Sequence, residues 1–483
     1  MVRGSLCNRR EFLAAAGLGT VGAPFAQPPS EAPTSAATVG SFDVCVVGGS
    51  CTGVFAALRA AEAGCSVALV ENNAIFGGTA TSGLVPIWHA LHATDRKTPV
   101  VGGYTKAVVD RLVSRGEARF TPPRPEKDIH SSYTVLNVAA LTLELDRLVR
   151  AQPRIRPFLS TRLVAADLDA PGRVSRAIVE DKSGRRAISA RFFIDATGDA
   201  DLLDRAGFPT WKQPRSALQA HTTCAILSGL DRVRKAYQDF DDFKTVMHPK
   251  SGAGLDHVFH WTAPIVGSPG LVFLAATRVP SCDPTDADDL TRGNLESRAQ
   301  FARILDTANR LYPMKDGTKA FGLVAVAPEL GIRESRHAKC LYSETDEDVL
   351  SGRRFDDVVA RGVYHIDIHE GRGITFRGLD GREDRMTAGP SGDVVWTHGR
   401  WREATGEDPL WYEVPYRALV PVGSQNVLCA GRMLDCTRGA YGALRVMVNC
   451  NQMGEAVGLA AAKALRAGLT ADRAYAGCPG GAL

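Results

Sequence analysis

From Phe42 onward the chain alternates short apolar runs with stretches whose apolar residues recur every three or four positions, the pattern of strands feeding helices. Phe42-Asp43-Val44-Cys45-Val46-Val47 reads as a buried strand. Gly48-Gly49-Ser50-Cys51-Thr52-Gly53 follows at once. A helical pattern through Val54, Ala57, Leu58 and Ala61 comes next, then Gly64 and a second strand, Ser66–Val70, ending in Glu71. Strand, glycine turn, helix, strand and acid in that order is the layout of a dinucleotide site. Gly48 permits the tight turn and Gly53 lets helix and strand pack closely. The helix N-terminus then turns unpaired N–H groups and a positive dipole end toward a pyrophosphate. Ser50 stands where the second glycine of the pattern belongs and is small enough to be tolerated. Glu71, 18 residues past Gly53, is placed to accept hydrogen bonds from a ribose diol.

Further elements follow the same alternation. A second glycine pair, Gly77-Gly78-Thr79, comes soon after Glu71. Residues 191–201 read as a strand running into the turn Ala196-Thr197-Gly198-Asp199. Asn426–Ala430 is a strand ending at Gly431-Arg432, and Arg445-Val446-Met447 opens a long helical stretch to about Leu465. Gly454 and Gly458 give that helix a face suited to close packing. Between these parts, Thr222–Leu227 and Leu271–Thr277 have strand composition, and 285–310 looks helical with Leu290, Leu295, Phe301 and Leu305 as its apolar positions. The expected fold is α/β: a Rossmann-like domain assembled from 41–210 and 411–470, an inserted α+β substrate domain at 211–410, and a tail at 471–483.

Composition narrows the class without choosing within it. With 45% hydrophobic and 23% charged residues the chain is neither disordered nor fibrous. A net charge of +4 is too slight to make nucleic acid an expected partner. Eleven cysteines in 483 residues, none in a C-x-x-C pair, support neither a disulfide scaffold nor a zinc ribbon, and no metal is expected. No run of about 20 apolar residues occurs, so no stable membrane span is expected. Asn8-Arg9-Arg10-Glu11-Phe12-Leu13 before an apolar stretch to Ala26 resembles a twin-arginine export signal at 1–26. Asn8 departs from the usual Ser or Thr. Residues 27–40, rich in Pro, Ser, Ala and Thr, read as a linker. The signal implies the twin-arginine machinery as a partner, export of the folded protein, and a periplasmic or other extracytoplasmic location.

Three polar side chains, His365, Asp367 and His369, alternate with Ile366 and Ile368. On a strand they share one face. Three readings stay open: a metal site, a half-exposed strand facing solvent, or an acid/base pair in which Asp367 orients the His369 imidazole. Arg333 and Arg336, three apart, cannot share a strand face; one is expected to meet Glu334 and the other to reach a cavity. A bidentate guanidinium there suits a carboxylate substrate or an anionic reduced cofactor. His89 and His92 are further cavity candidates and candidate points of covalent cofactor attachment.

Four stretches carry a resemblance to a known family. They are Gly331-Ile332-Arg333-Glu334-Ser335-Arg336, the Arg353–Gly362 segment, Tyr364-His365-Ile366-Asp367-Ile368-His369, and Val414-Pro415-Tyr416-Arg417-Ala418-Leu419-Val420-Pro421. In this order they are similar to motifs of the FAD-dependent oxidoreductases that carry G-x-R-E-S-R, and the resemblance spans 42–466. It implies FAD as cofactor and a fold of the glutathione-reductase type. In such proteins the glycine pair at Gly77 and Gly78 passes over the FAD pyrophosphate, and the Ala196–Asp199 turn closes over the adenosine side. Gly431, Arg432, Arg445, Val446 and Met447 would then lie beside the isoalloxazine, with the helix dipole aimed at the N1–C2=O locus. Arg438 and Gly439 stand where members often have His-Glu, and Cys340 replaces a Gly, so roles of that pair do not transfer. The implied activity is hydride transfer between an unidentified small-molecule substrate and flavin N5, completed by an unknown electron acceptor, with Asp367, His369, Arg333 and Arg336 as catalytic candidates. The alternatives are a flavin-carrying electron-transfer or binding protein and, further back, a nicotinamide-dependent dehydrogenase.

Overall fold

The computed structural model describes residues 36–121, 132–370, 373–404 and 406–477. The expected export signal and most of the linker lie outside them, as does the end of the tail. The first strand runs Ala37–Val47 and so begins inside the segment expected to be linker. Ala37, Thr38 and Gly40 pair in parallel with Arg186, Ala187 and Ile188. Backbone hydrogen bonds, not burial, extend the strand: its first residues are exposed and its last four buried. Composition reports burial, so the polar start of the strand read as linker.

This strand lies in a parallel array. Ile155–Phe158, Val67–Val70, Ala37–Val47 and Gly184–Asp195 follow one another across it, and Val427–Cys429 pairs with the end of Gly184–Asp195. Arg162–Ala170 and Arg173–Asp181 continue the sheet with antiparallel pairing. Val67–Val70 is wholly buried, as expected of a parallel strand covered on both faces. Val47 and Cys429 both stand opposite Asp195, so three distant segments end at one edge. That edge, at the carboxyl ends of the strands, is where open α/β sheets place ligands. Helix Cys51–Glu62 packs against the long helix Met447–Ala467 through glycine: a Cβ on Gly454 would collide with Thr52 O, and one on Gly458 with Ala56 O. The result is a mixed α/β fold with a parallel sheet, consistent with a Rossmann-like domain.

The middle of the chain builds two antiparallel sheets. One has the order Trp261–Pro264, Leu271–Ala275, Cys224–Ser228, Gly322–Val326, and shares a core with helix Ala287–Leu311. The buried positions of that helix include Asp289, Gly293, Ser297, Phe301, Ile304 and Ala308, a stripe that starts small and polar. Leu295, expected among the core positions, is 60% exposed on another face. The other sheet runs Ile366–His369, Gly373–Arg377, Arg382–Ala388, Val394–Arg400. Between the two, the chain returns to the dinucleotide side: Ala338 N donates to Met433 O at 2.8 Å, and Val358–Gly362 pairs with Tyr412–Pro415. Stretches of the segment 211–410 thus pair with the dinucleotide side, and from Ala37 the chain forms one compact unit. Among the described residues, no helix is long and apolar enough to cross a membrane.

Candidate active site

The glycine turn is shaped by close contact. Gly48 has φ +104, and a Cβ there would collide with Ala196 O; one on Gly53 would collide with Gly48 O. Only glycine fits both places. Ser50 precedes helix Cys51–Glu62 and makes no side-chain cap bond, so the first N–H groups remain for a ligand. Thr52 is buried beneath Gly454. Glu71 Oε2 accepts from Gly49 N at 2.6 Å and Oε1 from Asn73 N at 2.7 Å. Burial pushes the Glu71 carboxyl up, and these backbone donors oppose it. The acid thus braces the turn while keeping lone pairs for a ribose hydroxyl. Gly77, at φ +110, donates its N–H to Gly49 O at 2.9 Å; Gly78 abuts Ser50, and Thr79 lies in the short turn Gly78–Ala80.

The later elements converge on the same edge. Asp195 accepts from Thr197 N at 3.0 Å, Leu202 N at 3.0 Å and Leu203 N at 3.1 Å, pinning the Ala196–Asp199 turn, while burial pushes its carboxyl up to about 6. Arg432, just after Gly431, pairs with Asp199 at 3.2 Å and lies against Gly198. Arg445 stands immediately before Val446, the N-cap of helix Met447–Ala467, and its Nη2 is 3.1 Å from Asp367 Oδ2. The helix expected to face a flavin is thereby joined to the strand carrying the acid/base candidates.

In the strand Ile366–His369, Asp367 lies 3.2 Å from His369 Nε2 and accepts from the Tyr364 hydroxyl at 3.2 Å. Burial opposes ionisation of Asp367, but His369, bonded to it, and Arg445 hold its carboxyl well below the usual range. Burial, and then the charge of Arg333, push His369 down to about 3. The imidazole is therefore neutral, with Nε2–H donating to Asp367 and Nδ1 turned toward Arg278 at 3.5 Å. His365 precedes the strand; it is buried, its ring lies tilted 4.1 Å from that of Tyr364, and it meets the edge of Phe376. The solvent-facing reading is thus corrected: all three polar residues point into protein. Among the described residues, no group of three or more His, Cys, Asp or Glu is placed to hold a metal. His89 lies 4.6 Å from the Tyr364 ring, whereas His92 packs against Phe120.

The two arginines of the G-x-R-E-S-R stretch part company. Arg333 Nη1 donates to Ala220 O and, at 2.6 Å, to Thr222 Oγ1, within range of the charges of Arg445, Arg278 and Asp367. Arg336 is spent elsewhere, on Asp199 O at 2.9 Å, Asp201 at 3.3 Å and Asp204 at 3.2 Å. Asp201 and Asp204 tie Arg336 to the helix Asp201–Arg205, away from the His369 cluster. Glu334 meets neither arginine; it accepts from Gln219 N at 3.1 Å and lies 3.4 Å from His337. Two residues without any sequence signal complete the cluster. Gln219 Oε1 accepts from His369 N at 3.2 Å, and Arg278 lies 4.8 Å over the Phe259 ring.

His369, Arg445 and Arg432 keep 14%, 13% and 17% of their side-chain surface open although each is deeply enclosed. Among the described residues, Arg445 Nε and Arg432 Nη1 are buried donors without a partner. Unpaired buried donors are costly, so an acceptor-rich ligand fits here. The carbonyl-lined pyrimidine edge of a flavin is such a group, and the glycine turn, Glu71 and the helix start suit its pyrophosphate and ribose.

The mixed α/β fold with its parallel sheet is consistent with a dinucleotide-binding protein. A family model described as FAD dependent oxidoreductase matches residues 43–474, and the chain belongs to this family. It is an enzyme and its cofactor is FAD, which favours the oxidoreductase reading over the electron carrier. No curated protein matches the chain. Among solved structures it is similar to p-nitrophenol 4-monooxygenase PnpA from Pseudomonas putida DLL-E4, at 11% identity and TM-score 0.42 over 89% of this chain and 82% of that one. A geranylgeranyl bacteriochlorophyll reductase-like protein from Thermoplasma acidophilum shows 11% identity and TM-score 0.43 over 89% and 79%. The flavin-dependent brominase Bmp2, as a triple mutant, shows 12% and 0.43 over 90% and 83%. Nothing about this chain's substrate rests on likenesses this distant.

Proposed function

We propose that this enzyme moves a hydride between a small organic substrate and FAD, with Asp367 and His369 handling the accompanying proton. The observation that carries this reading is the ion pair of Asp367 with Arg445 at the start of helix Met447–Ala467. It sets the acid/base pair beside the residues suited to the isoalloxazine. FAD, when bound, supplies N5 as the hydride acceptor or donor. Helix Cys51–Glu62 and Gly48–Gly53 would hold the pyrophosphate, Glu71 the ribose, Ala196–Asp199 the adenosine side, and Gly431, Arg432 and Arg445–Met447 the ring. In the oxidative direction a substrate C–H bond gives up its electron pair as hydride. The proton of the adjacent O–H or N–H passes to His369 Nδ1, displacing the 3.5 Å contact of Arg278 there, and Asp367 stabilises the imidazolium through Nε2–H. A separate electron acceptor completes turnover. The strand order, the antiparallel extension and the motif at Gly331–Arg336 support the glutathione-reductase type of fold and the G-x-R-E-S-R branch of the family.

Anaerobic incubation of the holoenzyme with sugars, hydroxy acids and amines tests the reading. Bleaching of the flavin by at least one class is expected; a flavin that dithionite reduces but no substrate class does would contradict it. We further propose export of the folded holoenzyme through the twin-arginine pathway, on the strength of Asn8–Leu13. Arg9→Lys with Arg10→Lys should leave the precursor in the cytoplasm, and normal export of that variant would end the assignment.

A further inference from the structure

The cluster around His369 holds more donors and more positive charge than its own residues can use. Arg333, Arg445 and Arg278 approach it from three separate segments, and among the described residues Asp367 is the one carboxylate at its centre; Asp256 reaches Arg278 from an exposed position. Asp367 is already shared among Arg445, His369 and Tyr364. Arg333 makes no ion pair among the described residues: its bonds go to the neutral oxygens of Ala220 and Thr222. Burial, then Arg445 and Arg278, push its guanidinium down to about 9, so it still carries its charge at neutral pH. An enclosed cation opposite neutral groups is expensive unless an anion joins it.

The surroundings of Arg333 show where that anion would sit. Ala220 N donates to His369 O at 3.4 Å, and Gln219 Oε1 accepts from His369 N, so residues 219–220 run beside the His369 backbone. Arg333 is anchored on Ala220, and the buried Gln219 Nε2 has no acceptor among the described residues. A guanidinium and an unpaired amide N–H next to a neutral imidazole match an oxyanion with an oxidisable or reducible carbon attached.

We propose that Arg333, assisted by the Gln219 amide, docks a carboxylate carried by the substrate, which makes the substrate class small carboxylic acids. This rests on the hydride-transfer reading for which carbon reacts, but not for binding itself. Burial first, and the positive charge of Arg333 second, keep His369 from accepting a proton, and an anion on Arg333 offsets the second of these. Docking of the correct substrate therefore makes the imidazole a better base, whereas a neutral analogue does not.

The test uses FAD-loaded, oxidised enzyme and reads ligand binding from perturbation of the flavin spectrum, with no turnover required. Acetate, succinate, lactate and benzoate are compared with acetamide, succinamide, lactamide and benzamide. At least one acid is expected to bind 10-fold or more tightly than its amide. Arg333→Gln should keep full FAD content and weaken that acid at least 10-fold, with Arg333→Lys intermediate. Should Arg333→Gln fail to fold, the acid–amide comparison on the wild type decides alone. Amides binding as well as acids, unchanged acid affinity in Arg333→Gln, or loss of FAD in a folded Arg333→Gln would each overturn the proposal. Carboxylate binding without flavin reduction would support it while refuting hydride transfer; reduction by a neutral substrate but by no acid would do the reverse.

Discussion

His221 acts one step away from the reacting groups. Its Nε2–H donates to Cys282 O at 2.9 Å and its Nδ1 accepts from Arg333 N at 3.2 Å, and the second bond requires the neutral ring. Burial pushes its pKa from 6.5 down to about 4. The unfolded chain then takes up a proton that the folded chain refuses. Stability from this residue is complete above pH 6.5 and is lost as pH falls toward 4. Comparison with His221→Gln isolates the effect: the wild type should gain on the variant by up to about 1.4 kcal/mol per pH unit between those values, and by nothing further above them. Urea midpoints across that range check it; a constant offset would contradict it. At this scale the sequence was legible where function follows period two. Asp367 and His369 alternate with isoleucines, and the structure joins them. Arg278 and Gln219 were not legible, because each reaches the cluster from a separate segment and neither lies in a recognisable spacing. Arg336 lies in a clear motif, but three acceptors beside the Ala196–Asp199 turn claim its side chain.

Elements met their expectations where burial dictates pattern. The glycine turn, the helix after it and the helix Ala287–Leu311 all fall where apolar periodicity puts them. The polar first residues of the opening strand escaped because edge hydrogen bonds leave no apolar signature. Leu295 failed as a core position since small and polar side chains line the first turns of the buried stripe. The close crossing of helices Cys51–Glu62 and Met447–Ala467 depends on Gly454. Gly454→Ala places a methyl against Thr52 O, where backbone has to move, and overpacking of this kind typically costs about 1–3 kcal/mol. The variant should unfold at lower denaturant and retain less FAD, since the same shift displaces the helix start next to Arg445. Wild-type stability with wild-type FAD content would contradict the packing argument.

At the scale of the whole molecule, one edge of the parallel sheet gathers residues 48–53, 195–199 and 427–432, and Arg445 ties the C-terminal helix to the strand Ile366–His369. The order of these segments was legible as strand-and-glycine punctuation. The return of 336–362 to the dinucleotide side was not, because long-range pairing leaves no local mark. The sharpest test is anaerobic, single-turnover flavin reduction in His369→Ala and in the wild type, with FAD content measured on the same samples. Equal FAD content with reduction slowed by about 10²–10⁴-fold is the predicted result. Equal FAD content with unchanged reduction would show that the Asp367–His369 pair takes no part in the chemistry.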